Sequence, residues 1–132
     1  AATIANDGVP MQPYSVERVR DADLDVISET EPQALDRAVS TGTAATLNQM
    51  MQGVVERGSG TGAKISGVKV AGKTGSAETG GTNVNSMFVG FAPYDSPTVA
   101  ISVALEDFDK HDVEAAKIAG IVLTAALAAQ GA

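Results

Sequence analysis

The chain has no cysteine, no tryptophan and a single histidine, and its only aromatic rings are two tyrosines and three phenylalanines in 132 residues. Without cysteine there are no disulfides and no thiolate metal sites, and cysteine usage says little about compartment. With so few rings the core must be aliphatic and alanine-rich, and a hydrophobic content of 44% supplies the material. Lysine and arginine number 9 against 16 acids, a net charge of −7. That deficit of cations argues against general binding to nucleic acid or anionic membrane. No apolar run approaches the roughly 20 residues of a spanning helix, and there is no signal peptide. Internal repeats and low-complexity tails are also missing. The length fits one domain or a piece of one. The opening Ala1-Ala2-Thr3-Ile4-Ala5 lacks Met and reads as the tail of a helix, so the expectation is a piece of a longer chain.

What is present divides into readable elements. The opening helix tail ends at Asn6-Asp7-Gly8, where glycine can take the left-handed conformation that closes a helix. Pro10 and Pro13 keep the next stretch extended, and residues 14–20 and 24–30 predict a hairpin around Asp21-Ala22-Asp23. Pro32 breaks the pattern after the hairpin. Residues 43–57 predict a helix, because Leu47, Met50, Met51, Val54 and Val55 form one apolar stripe. Thr41 or Thr43 would cap its start and Gly58 would stop it, with the Met pair expected as core filler. Gly58-Ser59-Gly60-Thr61-Gly62 is expected to be a flexible loop.

Three strands are predicted at 68–77, 86–91 and 98–105, joined by the Gly/Asn-rich residues 78–85 and the turn Tyr94-Asp95-Ser96-Pro97. Such short links favour antiparallel neighbours. A last helix is expected over about 113–129, with Asp112 as N-cap. Ile118, Ile121, Val122 and Ala125 mark its apolar face, widened by Leu123 and Leu127, so it should lie flat on a sheet with little exposed. The fold class is therefore α+β, an antiparallel sheet with helices.

Lys73 decides the chemistry, and two motifs claim it. Read leftward, Gly67 and Gly72-Lys73-Thr74 satisfy the phosphate-loop pattern G-x-x-x-x-G-K-[ST]. That motif needs a turn between the glycines and a helix after the threonine. Here Val68-Lys69-Val70-Ala71 looks like a strand, and Gly75, Gly80 and Gly81 oppose a helix. Read rightward, Lys73-Thr74-Gly75-Ser76 is the K-T-G-[TS] element of serine acyl-transferases that act on penicillin and cell-wall peptides. On a strand, period 2 would put Thr74 and Ser76 on one side and Lys73 and Gly75 on the other. Two hydroxyls can hold a substrate carboxylate, a missing side chain at Gly75 lets a peptide approach, and the lysine supplies positive charge.

More than the motif carries a resemblance. Residues 1–14 (AATIANDGVPMQPY), 44–64 (AATLNQMMQGVVERGSGTGAK), 71–78 (AGKTGSAE), 87–93 (MFVGFAP) and 98–107 resemble successive blocks of the penicillin-binding transpeptidase domain, nearest the class B enzymes. The match implies that residues 1–132 are the carboxy-terminal portion of that domain, with its partial serine β-lactamase/transpeptidase-like fold. It departs from the family at Met87, often Trp there, and at Ser76, where Thr is commoner.

The implied activity is a D,D-transpeptidase that cross-links peptidoglycan through a serine acyl-enzyme and is a target of β-lactams. Lys73 and Ser76 would be catalytic, Lys73 orienting the serine and the Ser76 N–H serving as one of two oxyanion donors. Thr74, Gly75 and Ser76 would bind substrate. Peptidoglycan stem peptides, β-lactams and the amino-terminal half of the same domain are the implied partners, with self-association possible, no nucleic acid, and no cofactor or metal. The implied place is extracytoplasmic, in the cell envelope, anchored in the cytoplasmic membrane by an amino-terminal helix that these residues lack.

The family's nucleophile lies in a helix-borne S-x-x-K, followed by S-x-N. Ser66-Gly67-Val68-Lys69 matches the first string but lies in the loop leading to Lys73, and no S-x-N occurs. These residues alone are therefore expected to be inactive. A non-catalytic peptide- or β-lactam-binding module is the alternative. His111 stands between Lys110 and Asp112 in a polar run, 106–112, that reads as a solvated turn more readily than a triad member or metal site. Glu78 reads equally as a groove-rim residue or a surface charge, and Asn83 and Asn85 fit a turn.

Overall fold

Alternation along residues 71–109 builds the element on which the rest of the molecule is laid. In a computed structural model of the chain, which describes residues 1–109 and 114–131, β3 (Ala71–Glu78), β4 (Asn83–Ala92) and β5 (Val99–Asp109) form an antiparallel sheet in that order. Ahead of them come α1 (Ala2–Ala5), the strands β1 (Arg18–Arg20) and β2 (Val26–Glu29), and α2 (Thr41–Arg57). The chain closes with α3 (Glu114–Ala129). The α+β class and the antiparallel pairing of neighbouring strands agree with the expectation.

Cross-strand pairs define the two faces of the sheet. On one, Phe88 is fully buried and packs in a cluster with Ala115, Ala116, Ala119, Leu123 and Leu127 of α3. Ile101, Val103 and Leu105 of β5 lean on the same cluster. Against the other face, α2 lies along β3 and α1 touches β4.

The buried face of α3 differs from the expected one. Ile121 is 70% exposed and Val122 is also exposed, while Ala115, Ala116, Ala119, Gly120, Leu123 and Leu127 are buried. The cause is close approach of backbone. A Cβ on Gly120 would stand 3.0 Å from the Gly62 carbonyl oxygen, so only small residues let the helix reach the 58–63 segment. That segment is no loose loop: Thr61–Ala63 forms one 3-10 turn, with Gly60 and Ala63 buried.

Further departures concern α2. Its N-cap is Ser40, whose Oγ accepts from the Thr43 N–H at 3.1 Å, and not Thr41 or Thr43; Gly58 does end it. Val55 of the apolar stripe is buried, but Met50 is 61% exposed because it faces an open groove and not a closed core. The β1–β2 hairpin forms where expected, though shorter, and is exposed throughout. Asp21 Oδ1 accepts from the N–H groups of Asp23 and Asp25 at 3.0 and 2.9 Å to close its turn. The Asp112 cap and His111 lie outside the described residues.

Candidate active site

The Lys73 segment is extended, which rules out the phosphate-loop reading: Lys73 pairs with Val89, Thr74 with Phe88, Gly75 with Met87 and Ser76 with Ser86. No bend opens before Lys73 and no helix follows Thr74; the strand continues to Glu78. Ser66 and Gly67 form a tight turn closed by the bridge between Ile65 and Val68, with Gly67 at φ +76°, so Ser66 does not start a helix.

The expected alternation is present. Thr74 and Ser76 share their face with the buried Phe88 and Ser86, and Lys73 and Gly75 share theirs with Val89 and Met87. The four motif residues thus work from both faces of one strand, and β3 pairs only with β4 among the described strands, leaving its other edge open.

Lys73 lies at a groove of about 460 Å³ walled by Leu47, Met50, Met51 and Val54 of α2, Ile4 of α1 and Val89. Its Nζ donates to the Thr74 carbonyl oxygen at 2.6 Å. Lys73 is exposed at the edge of this groove, where its ammonium is free to meet an anion or a hydroxyl. On the opposite face the Thr74 hydroxyl meets the Ser59 hydroxyl, with Oγ1 and Oγ 2.6 Å apart.

Two features of the site were not read from the sequence. A Cβ on Gly72 would lie 2.2 Å from the Phe88 ring, and one on Gly90, its partner across the ladder, 2.7 Å from the same ring. Phe88 therefore lies over a glycine pair and fixes the sheet next to Thr74. Gly75 behaves differently, since a Cβ there would meet only Met87 Cβ, at an ordinary 3.6 Å. Its missing side chain is not required by packing. Ser59 is the second unread feature, and no local pattern announces it; only the Gly-x-Gly spacing around it hints at a tightly held serine. Among the described residues no group of three or more acids, histidines or cysteines could hold a metal ion.

The family model for the penicillin-binding protein transpeptidase domain matches residues 1–127. The chain is similar to the peptidoglycan D,D-transpeptidase PbpA of Mycolicibacterium smegmatis, 45% identical over 111 residues, which is 81% of this chain and 22% of that protein. PbpA of Mycobacterium tuberculosis is 41% identical over the same shares. The chain thus spans about a fifth of these relatives' length. Among solved structures, the D,D-transpeptidase domain of a peptidoglycan glycosyltransferase from Eggerthella lenta superposes with a TM-score of 0.87 at 42% identity, over 98% of this chain and 30% of that one. The imipenem acyl-enzyme complex of penicillin-binding protein A from M. tuberculosis does so with a TM-score of 0.87 at 42% identity, over 96% and 29%. With the motif strand, the sheet order and the family match in agreement, the chain belongs to the penicillin-binding protein transpeptidase family.

Proposed function

We propose that residues 1–132 form the carboxy-terminal portion of a D,D-transpeptidase domain that cross-links peptidoglycan through a serine acyl-enzyme and is acylated by β-lactams. The observation that carries this reading is the placement of Lys73, Thr74, Gly75 and Ser76 on an open-edged strand beside the Lys73 groove. An extended stem peptide adds to the free edge of β3 by main-chain hydrogen bonds. The hydroxyls of Thr74 and Ser76 donate to its terminal carboxylate. The Ser76 N–H is one of two donors to the oxyanion that forms when a serine attacks the scissile carbonyl, each such donor being worth about 3–4 kcal/mol. Lys73 orients that serine and steadies the negative charge around it. The serine and its base come from another part of the domain, because Ser66 sits in a turn and cannot face β3 from a helix. Such a protein acts on the outer side of the cytoplasmic membrane, in the cell envelope. A helix elsewhere in its chain anchors it; no described helix is long and apolar enough to cross a membrane.

The test uses the full-length protein. Replacing both hydroxyls, with Thr74→Val and Ser76→Ala, removes two hydrogen bonds to a charged group, each worth about 1.5–3 kcal/mol. Acylation by penicillin G should fall at least about a hundredfold. Unchanged acylation would refute the carboxylate assignment, and absence of covalent labelling by a fluorescent penicillin in the unaltered protein would leave a non-catalytic binding module instead.

A further inference from the structure

We infer that Ser59 is a positioning residue: it donates to the Thr74 hydroxyl and so leaves the Thr74 proton for the carboxylate of the substrate. The inference rests on the carboxylate-binding role proposed for Thr74. Ser59 Oγ and Thr74 Oγ1 are 2.6 Å apart, and by itself either could be the donor. A bound carboxylate decides the matter. It has only acceptors, so Thr74 must donate to it, and a hydroxyl has one proton to give. The bond between the two side chains then runs from Ser59 to Thr74. Two hydroxyls aligned in one direction polarise each other, which strengthens the terminal donor.

The loop holding Ser59 is fastened on both sides. The N–H groups of Gly58 and Gly60 both donate to the Val54 carbonyl oxygen at 3.0 Å. A Cβ on Gly58 would lie 2.9 Å from that oxygen, and one on Gly60 3.1 Å from Val54 Cγ1. Both neighbours of Ser59 are thus pressed onto the last turn of α2 with no space for side chains. Beyond them, a Cβ on Gly62 would stand 2.9 Å from Lys117 Cγ of α3. Ser59 has a fixed backbone and one short side chain, and its partner is a β-branched residue with few χ1 choices. Holding Oγ1 of Thr74 therefore holds the whole side chain in one rotamer.

The experiment compares acylation of the full-length protein by penicillin G and by its methyl ester, which has no carboxylate. Ser59→Ala should slow the penicillin G reaction about tenfold, one hydrogen bond's worth, and leave the ester reaction unchanged. The ratio of the two rates does not depend on how much of the variant is folded. Ser59→Thr, which keeps the hydroxyl, should restore most of the ratio. Adding Ser59→Ala to Thr74→Val should cost nothing more, because the second residue acts only through the first. Equal slowing with both probes, additive losses, or no effect of Ser59→Ala would overturn the inference. If Ser59→Ala has no effect while Thr74→Val does slow penicillin G, Ser59 falls alone. If Thr74→Val changes nothing, the carboxylate reading falls and takes Ser59 with it.

Discussion

Gly72 and Gly75 stand three positions apart on one strand and lack a side chain for opposite reasons. At Gly72 the space is filled: an added methyl would meet the Phe88 ring at 2.2 Å, and that ring is fully buried. Gly72→Ala should therefore destabilise the protein by about 1–3 kcal/mol, the usual cost of overpacking, seen as a lower urea midpoint with an unchanged slope. At Gly75 the space is empty, and Gly75→Ala should leave the unfolding midpoint within about 0.5 kcal/mol of the original while slowing acylation by penicillin G. Equal stability losses for the two would contradict the distinction. The sequence did announce the strand and the faces that Lys73, Thr74 and Ser76 occupy on it, because period 2 assigns faces without any knowledge of the neighbours. It could not announce Ser59 or the Phe88–Gly72–Gly90 contact, since each joins residues brought together only by the fold.

Helices show the same division between local and tertiary information. The 3.6-residue stripe located α2 and Gly58 marked its end, yet the cap fell to Ser40, one residue before the first candidate. Ser40→Ala should cost about 1 kcal/mol and speed hydrogen exchange at the Thr43 amide, whereas uniform protection in that variant would show the cap to be idle. In α3 the apolar pattern selected Ile118, Ile121, Val122 and Ala125, widened by Leu123 and Leu127; both leucines are buried, but the rest of the packed face is alanine and glycine because the 58–63 backbone sits directly on it. Size as well as hydrophobicity chose that face. Leu123→Ala should cost about 2–5 kcal/mol and Ile121→Ala no more than about 0.5 kcal/mol, both read from denaturant unfolding. The reverse order would contradict this packing.

On the scale of the whole molecule, the sheet ends in two unpaired edges among the described strands, β3 and β5. The edge of β3 is the proposed substrate site, and that of β5 is long: Val99–Asp109. A long free strand edge pairs with whatever extended chain it meets. We therefore propose that the 132-residue chain prepared by itself self-associates, and that Ala104→Lys, a charge on the exposed side of β5, reduces it. Light scattering measures both, and a stable, monodisperse monomer of the unaltered chain would contradict the expectation.

The β1–β2 hairpin stands apart from all this, exposed on both faces and held chiefly by its own ladder, the Arg18–Glu29 ion pair and the Asp21 turn. Exposed turns of this kind accept foreign groups with little cost to the fold. Since these residues include no thiol, Ala22→Cys would give the segment one addressable handle, and a dye placed there could report the protein's whereabouts and tumbling while the Lys73 strand stays untouched.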